Sequence, residues 1–275
     1  MLVKRIISSS LLISVIICAI LIDWVFNLVV MIFIVVGLYE FFSMLEKKGI
    51  NTYKYFGTAI GTIIPLSIIF RFEPTKSWEL LFIVLALLFL FLMQFRRRQH
   101  SGVITDISTT LFGIVYISWF FSFLIKIRHL SGGVGLLSAI LLITKLGDIG
   151  AYLVGMRFGK TPLVPHISPK KSVEGAMGGL LFSVLGALVS KALFYAYGGF
   201  ALLQGGIAYL HLALLGIFFG ILGQLGDLSE SLIKRDCQVK DAGIIFPGLG
   251  GALDTIDSLL FSAPAFYFYI SVILK

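Results

Sequence analysis

Apolar runs of spanning length alternate with short polar connections along the whole chain. They lie at about 6–22, 24–42, 56–72, 78–95, 111–127, 134–155, 175–198, 207–226 and 256–274. A helix crosses a bilayer core with about 20 apolar residues, and in lipid every backbone polar group must be paired internally. The pattern therefore predicts an all-α, polytopic integral membrane protein with about nine transmembrane helices. Lys4 and Arg5 ahead of the first run suggest a signal peptide, but no small-x-small cleavage site follows. Asp23 and Trp24 lead straight into the next run, so the first is read as a retained span.

Composition agrees with that pattern. Of 275 residues, 58% are hydrophobic and 13% charged, and the mean hydropathy is +1.02, outside the range of soluble domains. The net charge of +8 comes from short basic groups between apolar runs, which is what membrane topology requires and not a nucleic-acid surface. One side of the membrane would hold Lys4, Arg5, Lys47, Lys48, Lys54 and Arg96 to Arg98, then Arg157, Lys160, Lys170, Lys171, Lys234, Arg235 and Lys240. The other side would hold only Arg71, Lys76, Lys126, Arg128 and Lys275. Positive-inside counting places the N-terminus inside, the C-terminus outside and the charged segments 156–174 and 227–255 in the cytoplasm. Cys18 and Cys237 offer neither a disulfide framework nor metal-ligand spacing. Glu40, flanked by aromatic residues near the end of the second run, is expected to snorkel to water.

Chemistry concentrates in the second half. Residues 1–130 read as transmembrane scaffold, and 131–275 as the region that carries the site. In 227–258, Asp227, Ser231 and Lys234 recur at i, i+4 and i+7, so they share one helix face, with Glu230 beside them. Pro247, Gly248, Gly250 and Gly251 mark a tight turn. Asp254 and Asp257 follow at i, i+3 at the start of the last apolar run. Ionisable groups at bilayer depth are costly and default to function. Carboxylates on two faces, separated by a glycine turn and accompanied by cations, suit a magnesium-bound polyphosphate. A second block contains Lys145 and Asp148 at i, i+3, for which mutual pairing and a role in substrate or metal binding are both open. Ser168, Pro169, Lys170, Lys171 and Ser172 then set hydroxyls and ammonium groups ahead of a glycine-rich helix start, which suits oxyanions. Taken alone, the lysine pair also fits a juxtamembrane contact with anionic headgroups.

Both blocks resemble the phosphatidate cytidylyltransferases (CDP-diacylglycerol synthases). That family's signature runs S-x-x-K-R-x4-K-D, then Pro-Gly-His-Gly-Gly, then D-R-x-D. Ser231, Lys234, Arg235, Lys240, Asp241, Pro247, Gly248, Gly250, Gly251, Asp254 and Asp257 match it. Leu249 stands where the family usually has His, and Thr255 where it usually has Arg. The second block resembles D-x-x-A-Y-x-x-G-x-x-x-G-[KR] followed by S-P-K-K-[ST]-x-E-G, from Asp148 to Gly175. The resemblance implies transfer of a cytidylyl group from CTP to phosphatidate, giving CDP-diacylglycerol and diphosphate. It further implies magnesium at Asp227 and Asp254, with Asp257 as ligand or close support, and a second metal ion is possible. Asp227, Lys234, Asp254 and Asp257 would be catalytic. Asp148, Ser168, Lys170, Lys171, Ser231, Arg235, Lys240 and Asp241 would bind the nucleotide or lipid phosphate. A homodimer in the inner membrane, with its site facing the cytoplasm, is what the resemblance suggests for assembly and location.

Beside this reading, and beside that of a paralogue which binds nucleotide or lipid without turnover, stand two alternatives. One is a related membrane cytidylyltransferase or kinase acting on another lipid. The other is a transporter using Asp148 and Lys145 for ion coupling, against which stand the lack of repeat symmetry and the one-sided charge.

Overall fold

Each apolar run closes its own backbone hydrogen bonds as a helix. The computed structural model describes residues 2–72, 78–97, 101–196, 209–246 and 250–273. Helices α1 (Leu2–Leu21), α2 (Asp23–Lys47), α3 (Lys54–Ile69), α4 (Trp78–Phe95) and α5 (Val103–Gly113) come first. A π-helical segment, Ile114–Trp119, joins α5 to α6 (Phe120–His129). Then come α7 (Gly133–Phe158), strands β1 (Pro162–Val164) and β2 (Ser168–Ser172), α8 (Val173–Ala196), α9 (Tyr209–Asp236) and α10 (Ala252–Ile273). Among the described residues, 7 helices are long and apolar enough to cross a membrane, and Ser10–Leu21 and Lys54–Ile69 are shorter apolar helices. The protein is a helical, polytopic membrane protein. On α4, only 22% of the spanning window is buried, and Leu81, Val84, Leu85, Leu88 and Leu92 face outward. A helix apolar on its exposed side as well as its packed side is built for lipid.

The chain divides into two units. The first comprises 1–125 together with 236–255. Its core is built on α2, where Ile34, Leu38, Phe41 and Phe42 are fully buried. The Phe42 ring packs where a Cβ on Gly57 of α3 would stand, 2.6 Å away, so that helix must carry glycine to approach. The returning segment 236–255 is tied to α2 at several points. Lys48 pairs with Asp236 at 2.5 Å, and Phe246 stacks on Phe33 with centroids 5.8 Å apart. Phe246 and Gly250 exchange backbone hydrogen bonds of 2.9 and 3.1 Å, and Gly250 adopts φ +103, a left-handed conformation suited to glycine. Pro247, Gly248 and Leu249 of the turn lie outside the described residues.

Glu40 departs from the sequence expectation. It does not snorkel: it is only 5% exposed, and its Oε2 accepts the Leu253 N–H at 3.0 Å. The reason is local. The first N–H groups of a helix have no partner within it, and the start of α10 finds one in this carboxylate.

The second unit comprises 126–235 and 256–275. Helices α7 and α8 pack closely because glycines remove the intervening side chains. A Cβ on Gly178 would lie 2.4 Å from Val154, and one on Gly150 would lie 2.4 Å from Phe182. Ser183 of α8 donates to the Ile143 carbonyl of α7 at 3.0 Å. On α9, Gln224 donates to the Ala176 carbonyl at 2.9 Å, and Phe219 meets Phe266 of α10 edge-on at 5.2 Å. The antiparallel hairpin β1–β2, with Pro162 opposite Ser172 and Val164 opposite Ser168, is an addition to the all-α expectation. A ribbon of two strands has only edges, so Pro162 and Pro169 are tolerated in it.

Candidate functional site

The hairpin is fixed in the second unit by side chains that grip its backbone. Glu174, in the first turn of α8, accepts the N–H groups of Lys160 at 3.0 Å and Thr161 at 3.2 Å. Ser172 caps α8 by accepting the Gly175 N–H at 3.1 Å. Arg235, near the end of α9, donates to the Ile167 carbonyl at 3.1 Å. This contact ties the last turn of α9 to the hairpin turn.

So held, β2 faces α9 across a cavity of about 460 Å³. Asp148 and Tyr152 of α7, Ser168, Lys170, Lys171 and Ser172 of the hairpin, and Gln224 and Asp227 of α9 line it. Lys171 pairs with Asp227 at 2.7 Å, both side chains partly exposed. Met156, Leu163, Ala176 and Leu228 supply an apolar lining. A cavity with ammonium and hydroxyl groups at some positions and alkyl groups at others accommodates a phosphorylated amphiphile.

Three carboxylates from α9 and α10 converge beside the cavity. One oxygen each of Asp227, Glu230 and Asp257 lies within 4.8 Å of the other two. Gly226 permits this, because a Cβ there would lie 2.3 Å from the Asp257 carbonyl of α10. Glu230 is wholly buried and pairs with Lys234 one turn on. Three clustered carboxylate oxygens on buried or half-buried residues fit a hard divalent cation, which takes oxygen ligands and offsets their repulsion. Beside them, Lys145 donates to Asp148 at 3.2 Å and to the buried Ser258 hydroxyl at 2.9 Å. Ser258 in turn donates to Asp148 at 3.1 Å. Asp148 therefore both pairs with Lys145 and lines the cavity.

Three of the remaining sequence candidates, Asp254, Lys240 and Asp241, lie on the returning segment of the first unit. Asp254 accepts the Gly251 N–H at 2.7 Å and the Ala242 N–H at 3.0 Å. The first of these is the reach-back half of a capping box. Lys240 and Asp241 are exposed on the loop, and Ser231 is buried on α9 at the start of its last turns. Burial, with Asp236 beside it, pushes the Cys237 thiol up, so this cysteine is a poor nucleophile near neutrality.

Sequence reasoning noticed Glu230 but gave it no role, although its i+3 spacing from Asp227 was a usable signal. Glu174 matches the motif of the second block without a role attached to it, and Ser258 and Gln224 carry no signal in the sequence pattern. Glu40 gave no local signal, being 213 positions from its partner.

Comparison with known proteins accounts for both blocks together. A phosphatidate cytidylyltransferase of Synechocystis sp. is 33% identical over 285 residues, covering 91% of this chain and 90% of that protein. One from Thermotoga maritima is 30% identical over 261 residues, covering 94% and 92%. One from Bacillus subtilis is 37% identical over 175 residues, covering 63% of this chain and 62% of its own length. The family model described as "Cytidylyltransferase family" matches residues 3–273, taking in the scaffold helices as well as the cavity and its carboxylates. The chain belongs to the cytidylyltransferase family.

Proposed function

We propose that this protein transfers the cytidylyl group of CTP to phosphatidate, making CDP-diacylglycerol and diphosphate. The observation that carries the proposal is the Lys171–Asp227 pair, at 2.7 Å. Through it, both resembling blocks meet at one cavity whose lining is part charged and part apolar. A lipid phosphate and a nucleotide triphosphate need such a place: cations for their oxygens, and alkyl side chains beside the glycerol and acyl groups.

In the proposed reaction a phosphate oxygen of phosphatidate attacks the α-phosphorus of CTP in line. The new oxygen–phosphorus bond forms as the bond to the β-phosphate bridge oxygen breaks, and diphosphate leaves with that electron pair. Little covalent help from protein is needed beyond alignment and charge neutralisation. Lys170 and Lys171 hold phosphate oxygens from the hairpin, with Ser168 donating beside them. Ser231 and Lys234 contact phosphate from the face of α9 that carries Asp227, while Lys240 and Asp241 contact nucleotide from the loop. Arg235 keeps the hairpin turn in place. Asp227, Glu230 and Asp257 would hold magnesium, and Asp254, one turn earlier on α10, adds its charge to that face. Bound there, the cation would supply neutralisation of the polyphosphate.

The site is assigned to the cytoplasmic side of the inner membrane, where CTP is available. The N-terminus lies inside and the C-terminus outside across nine spans, two of them the shorter helices, and the enzyme works as a homodimer. Cysteine labels in 156–174 and 236–246 should react from the cytoplasmic face and a C-terminal tag from the other; a cytoplasmic tag would break this topology. The activity test is purified protein with CTP, magnesium and a panel of lipid phosphates. CDP-diacylglycerol formed from phosphatidate is the expected product, and turnover confined to a different lipid phosphate would replace the substrate.

A further inference from the structure

Glu40 belongs to the scaffold helix α2 and to neither resembling block, yet the returning segment folds around it. The Leu253 N–H donates to Oε2 at 3.0 Å, across 213 positions of sequence. A Cβ on Gly251 would come 2.5 Å from Oε1, and one on Gly243 only 2.0 Å from the same atom. Two stretches of loop backbone thus press against one carboxylate, and each does so at a glycine. Glu40 is 5% exposed, and the backbone N–H groups of Leu253 and Ala252 both act on its carboxylate. Burying a carboxylate costs stability even where backbone N–H groups face it. A scaffold selected for packing alone would place an apolar side chain at this position.

Leu253 precedes Asp257 by four residues, one turn of the same helix. The amide that Glu40 holds is one of the four at the start of α10 that the helix cannot satisfy itself. Asp254 restrains the same turn from within by accepting the Gly251 N–H at 2.7 Å. The internal restraint shapes the turn, and only the external one ties it to another helix. We propose that Glu40 is a positioning residue for cytidylyl transfer: it anchors the first turn of α10 to α2 and so sets where the carboxylates of that helix stand. The inference rests on the proposed role of those carboxylates in holding a divalent cation, and it adds a residue that touches neither cation nor substrate.

The test uses full-length protein purified in detergent, with Glu40→Ala, Glu40→Gln and Glu40→Asp. Two readouts are taken: the magnesium concentration giving half-maximal turnover, and amide hydrogen exchange in 250–257 measured against α9. Glu40→Ala is expected to raise half-saturating magnesium by about tenfold or more and to speed exchange in 250–257 while α9 is unchanged. Glu40→Gln, whose amide oxygen still accepts the Leu253 N–H, should stay within about threefold of wild type on both. If the alanine variant does not fold, Glu40→Asp, with its carboxylate withdrawn by one methylene, is expected to show the same shifts in smaller measure. Wild-type magnesium response and exchange in a folded Ala or Asp variant would overturn the proposal, as would a Gln variant as impaired as Ala. A wild-type protein inactive with CTP and every lipid phosphate would sink the proposed function instead, and the exchange arm would still decide the anchoring.

Discussion

Carboxylates in the two units are used in opposite ways. In the first unit, Glu40 and Asp254 face backbone: between them they hold the N–H groups of Leu253, Gly251 and Ala242. In the second, Asp227, Glu230 and Asp257 face one another, with oxygens within 4.8 Å, and lysines 171 and 234 stand beside them. A carboxylate that accepts amide hydrogens is satisfied by neutral donors and fixes a shape. Carboxylates gathered together repel, and neighbouring cations offset that charge. An acidic side chain in an apolar protein is therefore assigned by what its oxygens meet.

Three substitutions break or sharpen this contrast. Asp227→Asn removes a charge from the convergent group and the partner of Lys171. Its turnover should fall by about a thousandfold or more, roughly 4 kcal/mol of barrier, without loss of insertion or of a monodisperse elution profile. Near-normal activity would make the cluster structural. Asp254→Asn keeps an amide oxygen for the Gly251 and Ala242 N–H groups while removing charge. A smaller loss is expected, on the order of thirtyfold, about 2 kcal/mol. If kinetics show it as inactive as Asp227→Asn, the division between shape and charge fails, and Asp254 belongs with the cation. Lys171→Ala should act least, raising KM for CTP or phosphatidate by about tenfold with kcat less affected, because Lys170 remains in the same cavity. A fall in kcat alone would place Lys171 in the transition state and not in binding.

Much of this was legible from residue order, for physical reasons. The apolar runs mark the helices because lipid-facing helices must be apolar all round, and each run falls on one in the structure. Asp227, Ser231 and Lys234 are readable as one face, with Glu230 beside them, because helical spacing is fixed. The hairpin was not legible: Ser168–Ser172 has no alternation of apolar and polar residues, and its shape depends on Glu174 and Arg235 gripping it from two helices. Nor was the division of the backbone, in which 236–255 joins the scaffold unit. Glu40 shows why. An acidic residue near the end of an apolar run looks the same whether water or the amide of a distant helix awaits it.

The Lys145–Asp148 pair has a consequence for how the protein is made. Both charges sit three residues apart on α7, so that helix can enter the bilayer with opposite charges already side by side. Helix α10 has no such provision. Its candidate span has mean hydropathy 1.2, the lowest of the seven, and its acidic residues have no lysine or arginine within the helix. Ionisable groups within a span oppose its insertion, so α10 alone is a poor client for the insertion machinery. Its answering cations, Lys145 among them, belong to helices translated earlier. Insertion of α10 is therefore expected to follow the assembly of α7 and α9, with the carboxylate cluster completed by the segment translated last.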